Sequence, residues 1–112
     1  TEEEAKYLFA SRAAWKIGRN FGQLGPITDP DNAINIIHEN NWQEQYEFMF
    51  KNSIVGEISK TKEKIMSLVD DNNIDEIAIL TWCHNEKARI QSYELFANEF
   101  NLNVKKTLQK TC

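Results

Sequence analysis

The sequence is poor in cysteine and histidine. Only two of the 112 residues are cysteines, Cys83 and Cys112, and only two are histidines. One cysteine lies in an apolar run and the other is the last residue, so no disulfide framework or cluster of metal ligands can be proposed. We therefore expect two reduced thiols and no metal site.

The chain also lacks an excess of positive charge and long apolar runs. Its 13 basic and 17 acidic residues give a net charge of -4, which argues against a nucleic-acid partner. The longest apolar runs, such as residues 77–83, fall far short of the roughly 18 to 20 residues that span a bilayer. With no basic and apolar leader at the start, these features predict a cytoplasmic protein without a membrane partner. A hydrophobic content of 41% is ordinary for a soluble domain and makes disorder improbable.

Helical patterns dominate the first half. Residues 1–4 (Thr-Glu-Glu-Glu) form a capping box, and apolar residues recur at helical spacing up to Phe21. Gly22 and Gly25-Pro26 then predict the end of this helix. Asp29-Pro30 predicts the start of a second, short helix. Residues 42–50 favour a third, although the alternation of Tyr46, Phe48 and Phe50 leaves a strand open.

The second half has the pattern of an α/β protein. A helix is predicted from about residue 59 to the polar run at residues 70–73, and another starts after Asn85 as N-cap. Between them, residues 77–83 (Ile-Ala-Ile-Leu-Thr-Trp-Cys) are typical of a parallel strand covered on both faces. One such strand cannot make a sheet. Because a complete (β/α)8 barrel takes roughly 250 residues, we expect a partial domain.

Several short motifs resemble the bacterial-luciferase-like, flavin-dependent monooxygenases. Residues 1–5 resemble the Thr-Asp-Glu-Glu-Ala step after the penultimate strand of that family, and residues 75–77 resemble the Asp-Glu-Leu that opens its last strand. Residues 53–56 are similar to its Val-Val-Gly turn. The most specific likeness is residues 88–97, Ala-Arg-Ile-Gln-Ser-Tyr-Glu-Leu-Phe-Ala, beside the family's closing Ala-Arg-Leu-Arg-Ser-Tyr-Glu-Leu-Leu-Ala helix. At residues 57–59 the chain has Glu-Ile-Ser where the family often has Ser/Thr-Pro-Glu.

The resemblance implies the C-terminal fragment of a (β/α)8 TIM barrel, helix-rich and α/β in class. The helix that follows the missing penultimate strand takes residues 1–24, and a lid-like insertion takes residues 25–58. The last helix-strand-helix unit takes residues 59–100, and residues 101–112 are a tail. A mobile lid over residues 20–52 is expected by the same likeness.

In such a family, reduced flavin mononucleotide (FMN) reacts with oxygen. An organic substrate, such as an aldehyde, is then oxidised. The family's main flavin contacts lie upstream of the matching segment, so the catalytic residues are not in this chain. We expect flavin and substrate to bind through the missing barrel portion, and no tight FMN binding by these 112 residues alone.

Barrel active sites lie at the C-terminal ends of the strands, which here singles out Thr81 to His84. Thr81 and His84 are candidate flavin contacts and Trp82 is a candidate wall for ring or substrate. Packing of Trp82 under the helices, a small buried Cys83 and a loop role for His84 form the simpler alternative. Arg19, near a helix end, is a third flavin candidate, although the helix dipole alone explains a basic residue there.

Trp42 and Tyr46 are candidate lid residues facing the substrate, with ordinary helix packing as the more frequent explanation of such a stripe. Arg89 and Glu94 are expected to be structural. A second class of function stays open, in which the chain is a stand-alone acidic helical interaction module without catalysis. Homo-oligomerisation that covers the unpaired strand is a further alternative.

Overall fold

The computed structural model describes residues 1–102, and these residues form five helices. The helices are α1 (Glu2–Asn20), α2 (Pro30–Glu39), α3 (Gln43–Asn52), α4 (Ile58–Asn72) and α5 (Glu86–Glu99). The helix-rich character expected from the sequence is confirmed. Within residues 1–102, no helix is both long enough and apolar enough to cross a membrane.

Helix α1 begins at the predicted cap. The Oγ1 atom of Thr1 accepts a hydrogen bond from the backbone N–H of Glu4 at 3.1 Å, and three glutamates occupy the first turn, where they favour the helix dipole. The helix ends before Gly22, whose φ of +79° is a conformation that glycine adopts without strain. Its buried face carries mainly small residues, which allow close approach of the neighbouring helices.

The hydrophobic core lies between α1, α2 and α3. Phe9 and Ile17 of α1 pack with Ile37 of α2, and Trp42 and Tyr46 complete the cluster from the start of α3. Helix α2 begins as predicted at Asp29-Pro30, because the Asp29 side chain accepts from the N–H of Asn32 at 3.0 Å. Helix α3 spans Gln43–Asn52, so the helical alternative for residues 42–50 is correct.

Helices α4 and α5 pack on each other and bury few side chains. Asn73 closes α4 in the left-handed conformation, and Asn85 caps α5 by accepting from the N–H of Ala88 at 3.2 Å. Lys62 of α4 donates to the carbonyl oxygen of Glu99 at 3.1 Å. Helix α5 nevertheless has no buried residue.

The strand predicted at residues 77–83 is absent, and no strand occurs anywhere in residues 1–102. The segment connects α4 to α5 without helix or ladder, and Leu80 is 82% exposed. A parallel strand needs neighbouring strands, and these residues offer none. Residues 1–102 therefore form no α/β barrel architecture. Most of the predicted tail, residues 103–112 with Cys112, lies outside the described residues.

Candidate functional site

A cleft of about 680 Å³ opens where α1, the α1–α2 loop and the start of α5 meet residues 81–84. Trp15 lines it from α1, Ile27 from the loop, and Glu86 and Arg89 from α5. Its volume is within the range of small-molecule sites in proteins. Four separate stretches of chain thus contribute to one concave surface, which we call the Trp15–Trp82 cleft.

An aromatic wall forms one side of this cleft. The rings of Trp15 and Trp82 lie 5.8 Å apart at 35°, and Trp82 remains 57% exposed. The guanidinium group of Arg12 lies 4.5 Å from the centre of the Trp82 ring and 4.9 Å from that of Trp15. Arg19 lies 5.4 Å from the Trp15 ring. Two arginines therefore stack on indoles that leave open area for a ligand.

Arg12 has a guanidinium nitrogen that is buried and unpaired. Its Nη1 atom has no hydrogen-bond partner among residues 1–102, and none of the ion pairs in that range involves it. Burial disfavours the charged form and lowers the pKa of Arg12 from its ordinary value. The positive charge of this side chain is therefore not neutralised by a described carboxylate.

Hydrogen bonds hold both edges of the cleft. The indole Nε1–H of Trp15 donates to the carbonyl oxygen of Gly25 at 3.0 Å, which ties the α1–α2 loop to α1. The N–H of Thr81 donates to the hydroxyl oxygen of Tyr93 at 3.1 Å, and the hydroxyls of Thr81 and Ser92 lie 3.2 Å apart. Helix α5 thus positions residues 81–84 beside α1.

The cleft lining contains one arginine and one glutamate, Arg89 and Glu86. Arg89 and Glu86 approach to 3.8 Å, beyond direct hydrogen bonding, and both side chains are exposed. Burial raises the pKa of the Cys83 thiol, and the charge of Arg89 lowers it in part. A thiol with a raised pKa is a poor nucleophile at neutral pH. The described residues 1–102 also contain no group of three or more His, Cys, Asp or Glu side chains that could hold a metal.

The structure brings three of the predicted site residues together. Thr81, Trp82 and His84 all line the cleft, and Arg19 lies behind its wall on the Trp15 ring. Sequence reasoning missed Trp15 and Arg12. Their spacing of three residues places them on one face of α1, a signal that could have linked them.

Trp42 and Tyr46 lie elsewhere. Each is only 6% exposed, and both belong to the core. The Phe21 ring stacks on Trp42 at 5.6 Å and 8°, while the Tyr46 hydroxyl donates to the carbonyl oxygen of Lys6. These contacts are those of the packing alternative. Contact of either residue with a substrate stays a prediction that would require the lid to open.

The cleft fits part of a planar, anionic group such as a flavin. The exposed ring of Trp82 suits a flat ring system, and the half-exposed guanidinium of Arg89 suits negative charge, while the buried Arg12 adds its charge from behind the indoles. A group as large as FMN would need further contacts. No family model, no curated protein and no solved structure matches this chain.

Proposed function

We propose that this chain is the C-terminal part of a luciferase-like monooxygenase that uses reduced flavin and oxygen to oxidise a small, aldehyde-like organic substrate. The proposal rests on the sequence resemblance, above all on residues 88–97. It places the protein in the cytoplasm and assigns the binding of FMN and substrate to a complete barrel. These 112 residues alone are then inactive.

The exposure of the apolar segment at residues 77–83 is the observation that carries the proposal. Ile77, Leu80 and Trp82 are exposed, although the run has the composition of a strand covered on both faces. In a barrel, neighbouring strands would pair with the two edges of this segment, while the barrel core and the outer helices would cover its two faces. Helix α5, which buries no residue here, would gain a surface to pack against.

The position of the cleft also supports the proposal. It lies at the C-terminal end of this segment, which is where (β/α)8 enzymes carry their active sites. Thr81 and His84 would contact the flavin, Trp82 would form a wall for the ring or the substrate, and Arg12 and Arg19 would hold that wall. FMN, when bound, supplies the oxidation chemistry. The chain's own residues would orient the substrate and exclude water.

Reconstitution tests this function. FMN fluorescence is titrated with the chain alone, with the preceding barrel portion of a luciferase-like monooxygenase alone, and with both together. We expect saturable quenching only for the mixture. The Ile79→Asp variant should abolish it because a charge cannot enter the barrel, while Lys60→Gln on exposed α4 should not. Tight FMN binding by the chain alone would overturn the claim that a complete barrel is needed to bind FMN. Absence of FMN binding by the mixture would overturn the flavin proposal.

A second function is favoured by the self-contained core of α1, α2 and α3. Such a core can support a stand-alone acidic interaction module, and Leu24 and Phe48 offer exposed apolar contacts. This alternative expects a cooperative two-state melt of the chain without any added portion. Sedimentation measures the oligomeric state, which matters because a homo-oligomer could also cover residues 77–83.

A further inference from the structure

Three arginines lie in or next to the Trp15–Trp82 cleft, although the net charge of the whole chain is -4. Arg89 lines the cleft, Arg12 and Arg19 stack behind its wall, and Glu86 is the acidic residue found in its lining. Arginine charges next to a concave surface favour the binding of anions. Local charge, rather than overall composition, therefore points to the ligand.

The two arginines that matter most have different access. The Nη1 atom of Arg12 is covered and unpaired, so Arg12 contributes mainly an unneutralised charge from behind the indoles. Arg89 is half-exposed, and its separation of 3.8 Å from Glu86 leaves guanidinium donors available to a ligand. A planar guanidinium matches the two oxygens of a carboxylate.

The aromatic wall adds a shape requirement. One face of Trp82 is occupied by Arg12, and the ring as a whole is still 57% exposed. Exposed indole area next to a cation binds flat conjugated rings by offset stacking. Ile27 adds apolar surface on the loop side.

We propose that the Trp15–Trp82 cleft binds a small planar carboxylate, with its ring on Trp82 and its acid group on Arg89 in the field of Arg12. The inference rests on the cleft of this chain and goes beyond the flavin proposal. It names a ligand class that the chain alone can recognise. Since the cleft is open to solvent and offers one accessible guanidinium, we expect weak binding, with a Kd of about 1 mM.

The test is a titration of the full 112-residue chain with 2-naphthoate, followed by the NMR signals of the three indole N–H groups. We expect saturable shifts for Trp15 and Trp82, while the buried Trp42 stays unchanged as an internal control. The neutral analogue 2-naphthamide should bind about tenfold more weakly because it lacks the charge.

Variants separate the two arginines. Arg89→Gln should weaken 2-naphthoate binding about tenfold, whereas Lys87→Gln removes the same charge from the same helix turn outside the cleft and should not. Arg12→Gln should weaken binding less, and Arg12→Lys, which restores the charge, should recover it. Circular dichroism checks that each variant is folded.

Three results would overturn the proposal: no saturable shift at Trp15 and Trp82, equal binding of the acid and the amide, or an Arg89→Gln variant that binds like the unmodified chain. Each is independent of FMN binding by the reconstituted barrel. Failure of this inference therefore leaves the flavin proposal standing, and the reverse also holds.

Discussion

The carboxylate of Glu2 accepts a hydrogen bond at 2.8 Å from the backbone N–H of Glu57, at the N-terminal end of α4. This contact connects the first turn of α1 to a residue 55 positions later. It lies next to Gly56, whose φ of +145° is a conformation that other residues rarely adopt. A Cβ atom at that position would lie 2.8 Å from the Glu2 carboxylate.

Removal of this contact should destabilise the chain. We expect Glu2→Ala to lower the free energy of unfolding by about 1 to 2 kcal/mol, because a charge-assisted hydrogen bond is lost. Glu3→Ala removes the same charge from the same turn without touching α4 and should cost less. Urea denaturation of both variants measures the difference, and equal losses would show that only the helix dipole matters.

Gly56→Ala should be destabilising as well. The substitution combines a positive φ with a close approach to the Glu2 side chain, and both effects act on the folded state. In the Glu2→Ala background the steric part is relieved. A double-mutant cycle of thermal melts should therefore show that the two changes are not additive. Strict additivity would contradict the contact.

Trp42 and Trp82 should differ sharply on truncation. Trp42→Ala removes a buried ring stacked on Phe21 and should cost about 3 to 5 kcal/mol of unfolding free energy. Trp82→Ala removes a ring that is 57% exposed and should cost much less. Chemical denaturation compares them. A small loss for Trp42→Ala would instead favour a mobile lid over residues 20–52.

Tyr46 should make the chain sensitive to alkaline pH. Burial raises the pKa of Tyr46 from 10.0 to about 12. Between these values the unfolded chain has released the proton while the folded chain keeps it, so stability falls as pH rises from 10 to 12. Below pH 10 the neutral phenol contributes fully.

Tyr46→Phe therefore has an effect that changes with pH. It should cost about 0.5 to 1.5 kcal/mol near neutral pH, where the hydrogen bond to Lys6 is lost. The difference in unfolding free energy between the variant and the unmodified chain should narrow as pH rises above 10, since phenylalanine cannot ionise. Urea midpoints at several pH values measure it, and parallel curves would argue against a protonated, buried Tyr46.

Helix α5 depends on its cap. Because it buries no residue, we expect Asn85→Ala to reduce the helicity of residues 86–99, while Asn85→Asp preserves it. Carbon chemical shifts report helicity residue by residue. Unchanged shifts in the alanine variant would mean that packing on α4 is sufficient to hold the helix.

Local capping signals made the starts of α1, α2 and α5 predictable. Thr1, Asp29 and Asn85 each accept a backbone hydrogen bond from three residues further on, as their sequence contexts indicate. The strand predicted at residues 77–83 does not form in residues 1–102. Its composition is local, but its formation depends on neighbouring strands that residues 1–102 do not contain.

The candidate site was predicted in part. Thr81, Trp82 and His84 follow from the position of the apolar run, and they do line one cleft. Trp15 was missed because an aromatic residue in a helical stripe is usually core, and only packing decides which face α1 buries. Trp42 and Tyr46 are candidate lid residues for which helix packing is the more frequent explanation, and both lie in the core.

Amide hydrogen exchange of residues 77–83 tests the central claim, that this run is a barrel strand lacking its neighbours, most directly. In the chain alone these amides should exchange fast, apart from that of Thr81, which donates to Tyr93. Addition of the preceding barrel portion should protect them as a ladder forms. Fast exchange that persists in a complex of proven stoichiometry would contradict the claim.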